Sequence, residues 1–134
     1  MGYTYTILST YNLYYIKASG KVNGDEIIKT KTKIFLDPKW KQGMNHISDY
    51  TDIKVLTLTR EDIDLIAKIE AEHEKKFRDK RKLAIVCNNE LYKAVLKYYE
   101  MNAKKLFSKT KVCKTLNEAI NWLGLDITPD ILFK

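Results

Sequence analysis

The run KLAIVC, Lys82 to Cys87, is short, rich in β-branched residues and apolar at every position but the first. A strand with apolar side chains on both faces needs cover on both, which is the pattern of a strand inside a parallel sheet. Helical patterns precede and follow it, so the chain reads as α/β, with helices laid against the faces of a sheet.

The other elements fall into place around that run. Tyr3, Tyr5 and Ile7 alternate with Thr4, Thr6 and Leu8, and after STYN a second run, LYYIKAS, repeats the period of two, predicting an antiparallel pair. Asn23 with Glu26 opens a helix carrying Ile27, Ile28, Ile34 and Phe35, which Pro38 ends by Asp37. A third strand is predicted at His46 to Thr51. Thr59 with Asp62 then starts a second helix whose apolar stripe is Ile63, Ile66, Ile69, His73 and Phe77. Asn88 is expected to cap a third helix with Tyr92, Val95, Leu96, Tyr99, Ala103 and Leu106 inward, and a weak strand TKVCK follows. Thr115 with Glu118 opens a fourth helix on Leu116, Ala119, Ile120 and Leu123, and Gly124 is placed to end it. The expected order is ββαβαβαβα: a mixed sheet of about five strands with about four helices. KLAIVC is expected at the middle of the sheet. The 134 residues fit one domain, with 125–134 a loosely packed extension.

Charge narrows the partners. Lys75, Lys76, Arg78, Lys80, Arg81 and Lys82 against Asp79 contribute +5 of the net +7. This is a local basic patch at the end of the second helix, not the broad positive face of a nucleic-acid binder, so nucleic acid is not an expected partner. It reads as a solvated helix end whose cations complement the dipole, or as a draw toward an anionic membrane. The N-terminus lacks the basic flank and continuous apolar core of a secretory signal and no run is long enough to span a bilayer, so a cytoplasmic location is expected. Cys87 and Cys113 lie far apart without a CxxC spacing and read as reduced, buried thiols; no metal or cofactor is expected.

Candidate sites gather around DPKWKQGMNHISDYTD. Trp40 and Met44, beside Lys39 and Lys41, suit either an anchor at a lipid interface or partner groove, or a lid folded back on the core. His46, Ser48 and Tyr50 share one face of the third strand, lining a partly hydrated cavity for a small amphipathic ligand or facing water from an edge strand. Asp49 is expected near the C-terminal end of that strand, where open α/β sheets bind ligands, unless it merely fixes the strand end. Thr57 and Thr59 precede a helix N-terminus suited to an anion, although a plain cap explains Thr59. No catalytic set converges: His46 and Asp49 point to opposite faces of a strand, and no nucleophile elbow, glycine-rich phosphate loop or metal-binding spacing occurs, so no enzyme is expected.

The chain resembles the SpoIIAA-like family, related to STAS (anti-sigma-factor antagonist) domains. The resemblance rests on KASGKVNGDEI, DPKWKQGMNHISDYTD, TREDIDLIAKI, LAIVCNNELYKAVLKYYE and CKTLNEAINWLG, and above all on Asp37, Pro38, Trp40, Gly43, Asn45, Asp49 and Asp52. It implies a small, non-catalytic bacterial binding or regulatory module that docks a protein partner through the loop with Asp49, Asp52, Thr57 and Thr59. The fold also resembles the SEC14 lipid-binding type, which implies the alternative of a carrier of a small apolar or lipid ligand, peripheral at the membrane. STAS antagonists are phosphorylated in an Asp-Ser-Ser/Thr-Gly loop before the second helix. The corresponding VLTLTREDI has Thr57 and Thr59 but neither the Asp-Ser pair nor the Gly.

Overall fold

A computed structural model describes residues 2–74 and 81–133. Five strands form one sheet in the order β1-β2-β3-β4-β5: β1 (Gly2–Leu8), β2 (Leu13–Asn23), β3 (Asn45–Thr57), β4 (Lys82–Val86) and β5 (Lys109–Cys113). Only the β1–β2 pair is antiparallel. The helices are α1 (Gly24–Leu36), α2 (Arg60–Glu74), α3 (Glu90–Ala103) and α4 (Leu116–Trp122).

Each of α1, α2 and α3 joins two neighbouring parallel strands, and consecutive crossovers of one hand lay all three on the same face. Their apolar sides meet Tyr14, Ile16, Leu83 and Ile85 in the larger core. α4, which follows the last strand, covers the opposite face over Leu13, Tyr15, Ile47 and Val86.

Helix ends follow local chemistry. The side chains of Asn23 and Thr115 accept hydrogen bonds from the amides of Glu26 and Glu118, as the sequence predicted. Thr59 and Asp62 satisfy each other reciprocally, side chain to amide in both directions. The third helix is capped by Asn89 and not by Asn88, because the Asn89 side chain reaches the Leu91 amide. Gly124 has φ +71° and ends α4, its amide bonding Asn121 and that of Leu125 bonding Ile120. A Cβ added at Gly124 would touch nothing within 4 Å, so Gly124→Ala isolates the backbone cost. Thermal unfolding of that variant should show a loss of about 1–2 kcal/mol, the left-handed penalty of an L side chain.

Four expectations about organisation are corrected. β3 does not end at Thr51: pairing with β2 continues to Asn23↔Thr57, past two register shifts. Thr57 is therefore strand, and Asp49 lies inside β3, at its last pair with β4. The middle strand is β3, while KLAIVC is an interior strand beside it. Finally, the segment after residue 124 is packed, not loose: Leu132 is fully buried in the smaller core and its carbonyl accepts a hydrogen bond from the Thr6 hydroxyl.

Candidate functional site

β3 carries His46, Ser48, Asp49, Tyr50, Asp52 and Thr57, with a different environment on each face and along its overhanging end. On the helix-covered face His46, Ser48 and Tyr50 are all buried, which removes the edge-strand reading. The His46 ring stacks on Tyr14 with centroids 4.2 Å apart and has Phe107 at 6.4 Å. Neither ring nitrogen has a hydrogen-bond partner among the described residues. Burial, reinforced by the nearby charges of Lys31 and Arg81, holds the imidazole pKa well below its ordinary value, so this ring is neutral.

Beside His46 lies a charged group that the sequence reading did not identify. Glu70, on α2, takes the Lys31 ammonium of α1 at 2.8 Å on Oε1, which also accepts the Tyr99 hydroxyl of α3 at 3.2 Å. Its Oε2 stands 3.8 Å from Arg81. Arg81 donates to the Leu106 carbonyl at 3.1 Å, reaches the Tyr14 hydroxyl at 3.4 Å and lies over the Phe107 ring at 3.8 Å. Burial, then the Glu70 charge, raises the Tyr99 pKa far above its ordinary value. Lys31, Glu70 and Arg81 are each at most 1 % exposed. Arg81 thus leaves the predicted basic patch for the core, where a guanidinium is accommodated by spreading its donors over carbonyls, a hydroxyl and a carboxylate. Lys82 opens β4 half-buried, its amide bonded to the Asn45 side chain. Lys75, Lys76, Arg78 and Lys80 lie outside the described residues. The charged group ties three helices and the start of β4 together, and with no surface of its own it is a scaffold and not a place where a substrate could sit.

The opposite face carries Asp49. Its Oδ2 accepts the Tyr15 hydroxyl and its Oδ1 the amide and hydroxyl of Thr51 at 2.9 and 2.7 Å. The Tyr15 bond links β2 to β3 and the Thr51 bonds fix the carboxylate within β3; burial followed by the Asp49 bond raises the Tyr15 pKa. Exposed Asp52 pairs with Lys17 at 2.8 Å. His46 and Asp49 are thus separated by the sheet.

The DPKWKQGM loop folds inward. Met44 is buried in the larger core, which removes it from any surface anchor. Trp40 is half-buried, set edge-on to Phe35 at 4.8 Å and to His73 at 6.2 Å, so it covers the end of the core. Lys39 and Lys41 are exposed on either side. Asp37 accepts the Tyr5 hydroxyl and the Lys39 amide, and those bonds, the amide first, lower its pKa. Of the two cysteines, Cys113 has its thiol pushed up to about 11 by burial and the Glu118 charge. Among the described residues no cluster of three or more His, Cys, Asp or Glu could hold a metal, and no helix is long and apolar enough to cross a membrane.

What reaches the surface is the overhanging end of β3 and the cleft it opens between α2 and α3. Leu91, Ala94, Val95 and Tyr98 are spaced to form one stripe of α3, and the last three face Leu58, Arg60 and Ile63 across a groove of about 210 Å³. Leu91, at the start of that stripe, is 75 % exposed. The Arg60 guanidinium lies 5.3 Å from the Tyr98 ring, whose hydroxyl meets Asp64 at 3.4 Å. Beyond that bridge a second pocket of about 390 Å³ lies among Asp64, Ala67, Lys68, Ala71, Asn102, Lys105 and Leu106. The Tyr92 hydroxyl joins α3 to the Lys54 carbonyl of β3. Thr57 and Thr59 flank the near end of the groove, Thr59 being committed to the helix cap. The sequence signal for the groove was Leu91: a large apolar residue in the first turn of α3, left out of the predicted inward stripe.

In comparisons with protein-family models, with curated proteins and with solved structures, no match to the chain was found.

Proposed function

We propose that the chain is a non-catalytic binding or regulatory module that docks a protein partner in the cleft between α2 and α3. The observation that carries this reading is an open groove in which Ala94, Val95 and Tyr98 of α3 face Leu58 and Ile63, with exposed Leu91 at the start of the same stripe and cations at the edges. A surface of that kind, apolar in the middle and charged at the rim, is where monomeric folds commonly take a partner. Arg60, Lys68 and Lys105 line the cleft against the one carboxylate of Asp64, which favours an acidic amphipathic segment with one apolar anchor side chain. The resemblance to SpoIIAA-like and STAS domains supports the same class of function.

The test is affinity capture with the full chain from extract of its source cells, followed by rebinding of the purified partner. Ala94→Glu in the groove and Leu91→Asp at its rim should each weaken that rebinding by more than about tenfold, the effect of losing a central anchor, with unfolding unchanged. Trp40→Ala, at the far end of α1, should bind as the parent does. Groove variants that rebind with parental affinity overturn the proposal. A small apolar molecule carried in the native mass spectrum and displaced by Ala94→Glu would replace the partner with a ligand.

A further inference from the structure

We propose that β1 is a homodimer interface, at which two copies of the chain join their sheets by antiparallel β1–β1 pairing. Every open sheet has edges, and soluble proteins normally protect them with charge, proline or bulges. Two of the edges here are protected in that way: β5 carries Lys109 and Lys111, and the overhanging end of β3 carries Asp52 and Lys54. β1 has none of these devices. GYTYTIL contains no charge and no proline, and its pairing with β2 runs through all seven residues without a register shift. Among the described residues, no hydrogen bond from outside the β1–β2 ladder reaches the main-chain groups of residues 2–8. A trough of about 400 Å³ runs beside Tyr5, Thr6, Ile7 and Leu8, with Asp37 and Lys39 also lining it, where an incoming strand has room.

The occupant follows from the strand's own sequence. A two-fold axis through Tyr5 sets Tyr5 opposite Tyr5, Thr4 opposite Thr6 and Tyr3 opposite Ile7 of the second copy. Each is a favourable cross-strand pair: aromatic with aromatic, threonine with threonine, aromatic with β-branched. An isologous contact needs this self-complementarity, and the two strands would extend two five-stranded sheets into one.

Sedimentation velocity on the full chain should show a reversible dimer with a midpoint between about 1 µM and 1 mM, the range of a small, hydrogen-bonded interface. Amides of residues 2–8 should gain hydrogen-exchange protection as concentration rises. The variant Thr4→Lys with Thr6→Lys sets ammonium against ammonium twice across the axis and should be monomeric. Thr4→Lys with Thr6→Glu sets each ammonium against a carboxylate and should dimerise again. Both lose the same Thr6 bond to Leu132, so folding effects cancel in the comparison. A parent monomeric up to about 1 mM, or two variants that associate alike, overturns the proposal.

Discussion

Glu70→Ala is expected to lower the unfolding free energy at pH 7 by about 3–5 kcal/mol, the cost of removing one partner from a buried ion pair. The carboxylate is the acceptor on which Lys31, Tyr99 and Arg81 converge, and removing it takes that acceptor from an ammonium, a hydroxyl and a guanidinium at once. Lys31→Met should cost less, because Glu70 keeps the Tyr99 hydroxyl and Arg81. Glu70→Gln, which keeps an acceptor for Tyr99 but no charge, should fall between. Urea unfolding of the three variants gives the order directly; Glu70→Ala within about 1 kcal/mol of the parent would show that the group is not the tie between the helices. Since a domain of this kind is stable by only about 5–15 kcal/mol, the alanine variant should also be the one that unfolds near body temperature.

Acidification should destabilise the protein through His46. Its folded pKa is depressed, so below about pH 6.5 the unfolded chain takes up a proton that the folded chain refuses, and stability falls toward the lower folded pKa. Above that pH the contribution is constant. Below about pH 6.5 the loss should steepen toward the limiting slope of about 1.4 kcal/mol per pH unit for one proton. The groups that set it come from every element around the ring: Tyr14 of β2, Lys31 of α1, Phe107 after α3 and Arg81 before β4. His46→Gln removes this dependence while His73 and the carboxylates remain, so the difference between the two pH curves isolates one residue. Parallel curves would mean that His46 becomes protonated in the folded state at little cost.

Both predictions concern residues that looked ordinary in the sequence. Lys31 stands four residues after Ile27, and Glu70 four after Ile66, so both fall on the apolar stripes of their helices. A charge on a stripe was the available signal, and it reads as noise until two such stripes face each other. Arg81 was hidden differently, since it stands inside a run of cations and its neighbours made it look solvated. The candidate groove was hidden because its two sides, Leu58 to Ile63 at the start of α2 and Ala94 to Tyr98 on α3, are separated in the chain by β4.

The sequence by itself determined the elements. Period-two and helical spacing, the caps at Asn23, Thr59 and Thr115 and the glycine at 124 act over a few residues, so local chemistry decides them before any tertiary contact forms. It also determined that His46 and Asp49 stand on opposite faces, which strand geometry fixes. Only the tertiary structure decided how far β3 runs, which strand is central and which charges go inside. Those depend on partners distant in the chain: β3 continues past Thr51 because β2 is there to pair with it. Lys31, Glu70 and Arg81 can be buried because each brings the others what water would otherwise supply.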